Sequence, residues 1–151
     1  MRIRAYPRKH SSGSVLLRFR GKAVSCILGF TGFLTMIQPL ISADERAQLL
    51  ANGEARAVGW NIDPLPVVRL FTPDAHATWL LAALDPADGD TAWGVIDLGI
   101  GMPELGTVKL SDLAGIVGPH RKPVLRDLYF RASRPLSEYV RLGQRDGSIP
   151  D

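Results

Sequence analysis

Cysteine is nearly absent from this 151-residue chain: Cys26 is the only one. No disulfide can close within the chain, and no zinc site built on several thiolates is available. Histidine is almost as scarce, with His76 and His120 the two that follow residue 36. A metal site would therefore need carboxylates. Acid is missing from residues 1–35, which carry seven cations (Arg2, Arg4, Arg8, Lys9, Arg18, Arg20 and Lys22). Residues 36–151 carry 11 Lys or Arg against 15 Asp or Glu, so the net +3 divides into +7 for a leader and −4 for the rest. The electrostatic footprint that nucleic-acid binding requires is absent from the candidate domain. Internal repeats and low-complexity tracts are lacking too.

What the leader does contain is a stretch without charge, residues 23–43. Twenty-one residues at 1.5 Å each could cross a hydrocarbon core of about 30 Å, with the basic flank on the cytoplasmic side. A secretory signal also fits, although the best cleavage position, after Ala43, would have bulky Ile41 at −3. On a third reading residues 1–35 lie upstream of the natural start and the protein begins at Met36. Ser42-Ala43-Asp44-Glu45 is a capping box a few residues later, the signature of a helix N-terminus. The expected organisation is a leader over 1–35, a domain over 36–142 and a flexible polar tail over 143–151.

The domain reads as short elements separated by turns. A helix from Arg46 should stop at Asn52-Gly53. Residues 67–71 form a β-branched strand ended by Thr72-Pro73-Asp74-Ala75. Residues 78–84 (TWLLAAL) make a second strand, although their mixed period also fits a helix. After the loop Asp85-Pro86-Ala87-Asp88-Gly89-Asp90 come strands over 91–98 and 104–110. Ser111 caps a short helix over 112–117, residues 124–130 are extended, and a closing helix starts at Pro135. Short turns imply antiparallel pairing, since parallel neighbours need long crossovers. The expected class is α+β: a single small domain, a mainly antiparallel sheet of about four strands, and flanking helices. Trp79 and Trp93 should be buried on neighbouring strands.

Candidate chemistry is thin. Asp74 and His76 lie two apart, on one face of an extended segment. A carboxylate beside an imidazole is raw material for general base catalysis. The competing account makes Asp74 a turn residue and leaves His76 exposed. With Glu104 or Asp127 these two residues would make a small hydrolase. The acids of the 85–90 loop lack the spacing and the twelfth-position Glu of a calcium loop. Gly99-Ile100-Gly101 lacks the third glycine of a dinucleotide fingerprint, and Ser111 and Ser137 sit in no nucleophile elbow. His120, Arg121, Lys122, Arg126, Arg131 and Arg134 form a local basic patch. It could hold an anionic partner, or pair internally, Arg126 or Arg131 with Asp127. If residues 128–130 alternate, Leu128 and Phe130 point inward. Asp127, Tyr129 and Arg131 then face out as a polar binding surface with Arg126 nearby. No cofactor and no metal set is read from the sequence.

The series Leu70-Phe71-Thr72-Pro73-Asp74, Thr78-Trp79, Asp97-Leu98-Gly99, Pro103-Glu104-Leu105-Gly106 and Arg126-Asp127-Leu128-Tyr129-Phe130 resembles a family of small bacterial proteins of unknown function. Members of that family are often carried on plasmids and other mobile elements, and typically begin near the position of Met36. The resemblance spans about residues 37–142 and implies no activity. The expectation is a cytoplasmic, non-enzymatic binding or accessory protein linked to mobile elements, with a protein or a small molecule as partner. Membrane attachment enters only if residues 23–43 are a real anchor. The rival is the hydrolase.

Overall fold

The computed structural model describes the backbone of residues 14–19, 22–28 and 34–35, and residues 39–60 and 62–151 in full. Two compact units result, Met1–Pro39 and Leu40–Asp151. In the first, Ser14–Phe19 (β1), Lys22–Leu28 (β2) and Leu34–Thr35 (β3) pair antiparallel in that order. The proposed start at Met36 lies outside the described residues, as does part of the uncharged stretch over 23–43. No helix among the described residues is long and apolar enough to cross a membrane.

The second unit opens with helix α1, Ala43–Ala57. Its N-terminus is the expected capping box: the Ser42 hydroxyl accepts from the Glu45 N–H at 3.2 Å, and Glu45 Oε2 accepts from the Ser42 N–H at 2.6 Å. The helix does not stop at Asn52-Gly53. Both residues are packing devices. A Cβ on Gly53 would lie 1.7 Å from the Leu84 carbonyl oxygen, so glycine alone allows so close an approach. Asn52 donates to the Ala82 carbonyl at 2.7 Å. Stop signals in the sequence become contact residues because tertiary contact outweighs a propensity cost of about 1 kcal/mol.

Five strands follow: Val68–Phe71 (β4), Thr78–Leu84 (β5), Thr91–Asp97 (β6), Glu104–Lys109 (β7) and Leu125–Arg126 (β8). They form one antiparallel sheet in the order β7-β6-β5-β4-β8, one strand more than expected. Central β5 explains its own mixed pattern, because it is buried on both faces. Trp79 and Leu81 enter one core with Leu49, Val68, Leu70 and Leu113, while Leu80 and Ala82 enter a second with Val95, Leu136, Tyr139 and Ile149. Between Leu81 and Ala83 the register against β6 shifts. This bulge carries the chain across by one residue, so Leu84 rejoins the first core. Trp79 is buried as expected; Trp93, on the neighbouring strand, is only half-buried.

Helix α2, Leu110–Gly115, begins before Ser111, and helix α3 is Leu136–Asp146. Neither serine caps its own helix. Ser111 gives its N–H and hydroxyl to the two oxygens of Asp90, at 2.9 and 2.6 Å. Ser137 does the same with Asp63. A carboxylate from a distant loop thus occupies each helix N-terminus, where both the free N–H groups and the helix dipole favour it. The expected tail over 143–151 includes packed residues. Gly147 turns the chain at φ +80°, Ile149 is buried in the second core, and its N–H reaches Asp97 Oδ2 at 3.4 Å.

Candidate functional site

The residues expected to carry chemistry fall on different parts of the sheet. Asp74 lies in the β4–β5 turn, where its Oδ2 accepts from the backbone N–H groups of His120 (2.8 Å) and Lys122 (3.5 Å). His76, two residues on, is exposed and stands against Gly99 of the β6–β7 turn. Glu104 is exposed on edge strand β7. Asp127 sits beyond β8, four strand spacings from β7, or about 19 Å at about 4.8 Å each. Because β8 runs antiparallel to β4 with Arg126 opposite Leu70, Asp127 also lies at the end of β4 away from Asp74. Among the described residues no group of His, Cys, Asp and Glu is placed to hold a metal.

Asp127 is a structural hub. Its Oδ1 accepts from the Tyr129 N–H at 2.9 Å, and its Oδ2 stands 3.8 Å from Arg69, which also meets Asp151 at 2.8 Å. Arg126 pairs with Glu45 at 3.0 Å and not with Asp127. The same Glu45 oxygen closes the capping box, so one carboxylate ties the start of α1 to β8. Among the described residues, Arg131 reaches only the neighbouring Phe130 carbonyl. The alternation expected over residues 128–130 breaks, since the Asp127 turn leaves Leu128 65% and Tyr129 91% exposed. Tyr129 therefore points to solvent, as proposed, but Leu128 does so as well.

The acids of the 85–90 loop are also engaged. Asp85 Oδ1 accepts from the Ala87 N–H, and Asp88 accepts from the N–H groups of Asp90 and Thr91 and from the Thr91 hydroxyl. Those bonds, the Thr91 hydroxyl foremost, hold the Asp88 carboxyl down at about 2. The Ser111 hydroxyl bond likewise lowers Asp90. This is a self-bonded hairpin loop.

A concave surface opens elsewhere, beside the β5 bulge. Ala83, Trp93 and Thr107 stand in register across β5, β6 and β7 and line the floor of a cleft of about 270 Å³. Gly53, Arg56 and Ala57 of α1 form one wall, with Asp85, Pro86 and Thr91 at the hairpin end. Small residues at 53, 57 and 83 make the space. The Arg56 guanidinium lies 3.5 Å from the centroid of the Trp93 ring. Cation–π contact of this kind contributes about 0.5–1 kcal/mol at an exposed site. Among the described residues the guanidinium meets no carboxylate. A smaller recess on the other side of Arg56 is lined by Trp60, Ile62 and Pro64. None of these groups was a candidate from the sequence. The available signals were Trp93-Gly94 within a strand and Asn52-Gly53 within a helix, each a large residue or a capping amide beside a glycine.

Residues 40–150 match a family model described as a protein of unknown function (DUF2958). No curated protein and no solved structure gives a match.

Proposed function

Since the chain belongs to the DUF2958 family of proteins of unknown function, no activity is inherited, and we propose that it is a non-catalytic binding protein whose ligand enters the cleft between α1 and the sheet. The observation that carries this reading is the Arg56 guanidinium, held over the Trp93 ring and free of acidic partners among the described residues. Such a group is a ready receptor for a carboxylate or phosphate. The Trp93, Ala83 and Pro86 surfaces suit an apolar portion beside that anion, and the Thr107 hydroxyl offers a further hydrogen bond. A small anionic molecule or an acidic side chain of a protein partner fits this chemistry.

The hydrolase reading is weaker. Asp74 spends one oxygen on backbone N–H groups while its Oδ1 is buried without a partner among the described residues. Asp127 spends its oxygens on the Tyr129 N–H and Arg69, and strand geometry separates Glu104 from Asp127 by about 19 Å. General acid–base work needs such groups within hydrogen-bond reach of one reacting atom. We further place the protein in the cytoplasm, as an accessory to mobile elements. The absence of disulfide-forming cysteine pairs supports the compartment, and the family resemblance supports the association.

The test is a thermal-shift screen of aromatic and aliphatic carboxylates and phosphate esters against the wild-type protein and Arg56→Ala. A true ligand at ten times its Kd should stabilise by about 1.4 kcal/mol, raising Tm by several degrees. Arg56→Ala should abolish that rise. If no compound shifts the wild type, or if Arg56→Ala responds equally, the cleft is not the site.

A further inference from the structure

Three loops meet at the end of the sheet away from the cleft: the β4–β5 turn (72–77), the β6–β7 turn (98–103) and the loop over 117–123. Asp74 fastens the first to the third through the His120 and Lys122 N–H groups. Gly99 joins the first to the second. It has φ +78°, and a Cβ there would lie 2.9 Å from both the Cβ and the carbonyl oxygen of His76. The β6–β7 turn is anchored at its base, since the buried Asp97 accepts from the Gly99 N–H at 2.9 Å and Pro103 is fully buried. Its tips point the other way: Leu98, Ile100 and Met102 are 60%, 75% and 69% exposed, and Val117 is 60% exposed. The 117–123 loop is a tight hairpin. The Gly118 N–H donates to the Lys122 carbonyl, Val117 bridges Pro123, and Arg121 is held at φ +62°. It presents His120, Arg121 and Lys122 to solvent. Of the acids at this end, Asp97 is buried, Asp74 is turned onto backbone, and Asp146, next to the Gly147 that faces Gly101, is paired with Arg145, which leaves Glu104 exposed.

Three large apolar side chains, Leu98, Ile100 and Met102, stand exposed on one well-anchored turn, and exposed apolar patches tend to mark contact surfaces. We propose that this end of the sheet docks on an anionic bilayer surface, with Leu98, Ile100 and Met102 entering the headgroup–acyl boundary and Arg121 and Lys122 above lipid phosphates. Charge complementarity selects this occupant. Residues 36–151 have a net charge of −4, yet the 117–123 loop, tied through Asp74 to the turn that Gly99 also touches, is cationic. A twofold contact between copies through the same patch would set two such loops against each other. Protruding aliphatic tips flanked by cations are what interfacial binding uses, apolar burial and lipid attraction adding together.

The experiment uses the full chain. Residues 1–35 are basic and would bind anionic vesicles on their own account, so the readout is local. A polarity-sensitive dye is attached at Ile100→Cys in a Cys26→Ser background, and vesicles of phosphatidylcholine with and without phosphatidylglycerol are added. The dye emission should shift to the blue with the anionic vesicles only. Arg121→Gln with Lys122→Gln should weaken that response about tenfold or more. Leu98→Asp with Met102→Asp should abolish it, while the near-ultraviolet circular dichroism stays native because all four positions are exposed. An unshifted dye overturns the proposal, as does a shift of equal size with zwitterionic vesicles. A shift that grows with protein concentration in the absence of lipid assigns the tips to a second copy, and overturns it too.

Discussion

Gly53 shows how much one missing side chain can decide. Its backbone lies so close to the Leu84 carbonyl that α1 and β5 touch without intervening atoms, and the neighbouring Asn52 is thereby brought onto the carbonyl of the bulge residue Ala82. The same approach sets Arg56, one turn later, over Trp93. Gly53→Ala places a methyl group on that carbonyl, and backbone on both sides must separate. Overpacking of this sort costs typically about 1–3 kcal/mol, and rigid backbone on both sides puts this case at about 3 kcal/mol. Gly115, with open space around its Cα, is the control: Gly115→Ala should be neutral or stabilising by up to about 1 kcal/mol. Urea denaturation of the two variants checks both values. Equal midpoints would mean that the helix relaxes freely and that the cleft owes nothing to this contact.

At the level of elements, short-range pattern reached most of the sheet. The strands β4 to β7 were legible because β-branched or apolar runs lie between turns of Gly, Pro and Asp. α1 was legible at its start, where the capping box is a local device. Its end was not, because Asn52 and Gly53 owe their roles to Ala82 and Leu84, thirty residues away in sequence. The cap expected at Ser111 was misread for a similar reason, and Ser137 has the same environment. Each serine is local, but the carboxylate that serves it, Asp90 or Asp63, comes from another loop. The candidate cleft was illegible, since its floor is a cross-strand row made continuous by a bulge that no composition reveals. The 85–90 hairpin yields a prediction at this scale. Asp88 is depressed to about 2 from its ordinary 3.8, so its contribution to stability is complete above pH 4 and is lost as pH falls toward 2. Asp88→Asn should lower the urea midpoint slightly at neutral pH and flatten the decline between pH 4 and pH 2. Parallel curves for variant and wild type would show that the loop bonds carry no stability, and added salt should shrink the difference because the site is exposed.

Among the described residues, both hydrophobic cores lie within Leu40–Asp151 and share one five-stranded sheet. The unit closes on itself through its last residues: Ile149 fills the second core, Asp97 takes the Ile149 N–H, and Asp151 meets Arg69 beside Asp127. An isolated surface ion pair adds little, but a buried isoleucine removed from a core costs about 2–5 kcal/mol. A chain ending at residue 146 should therefore melt at least several degrees lower than the full chain. A chain beginning at Met36 should unfold in a single transition with an unchanged midpoint, since the residues that form the two cores are all retained. Calorimetry on the two truncated chains separates these expectations. If loss of residues 147–151 left Tm unmoved, the final turn would be an ornament of the sheet; if loss of residues 1–35 lowered Tm or split the transition, part of the stability would reside in the leader.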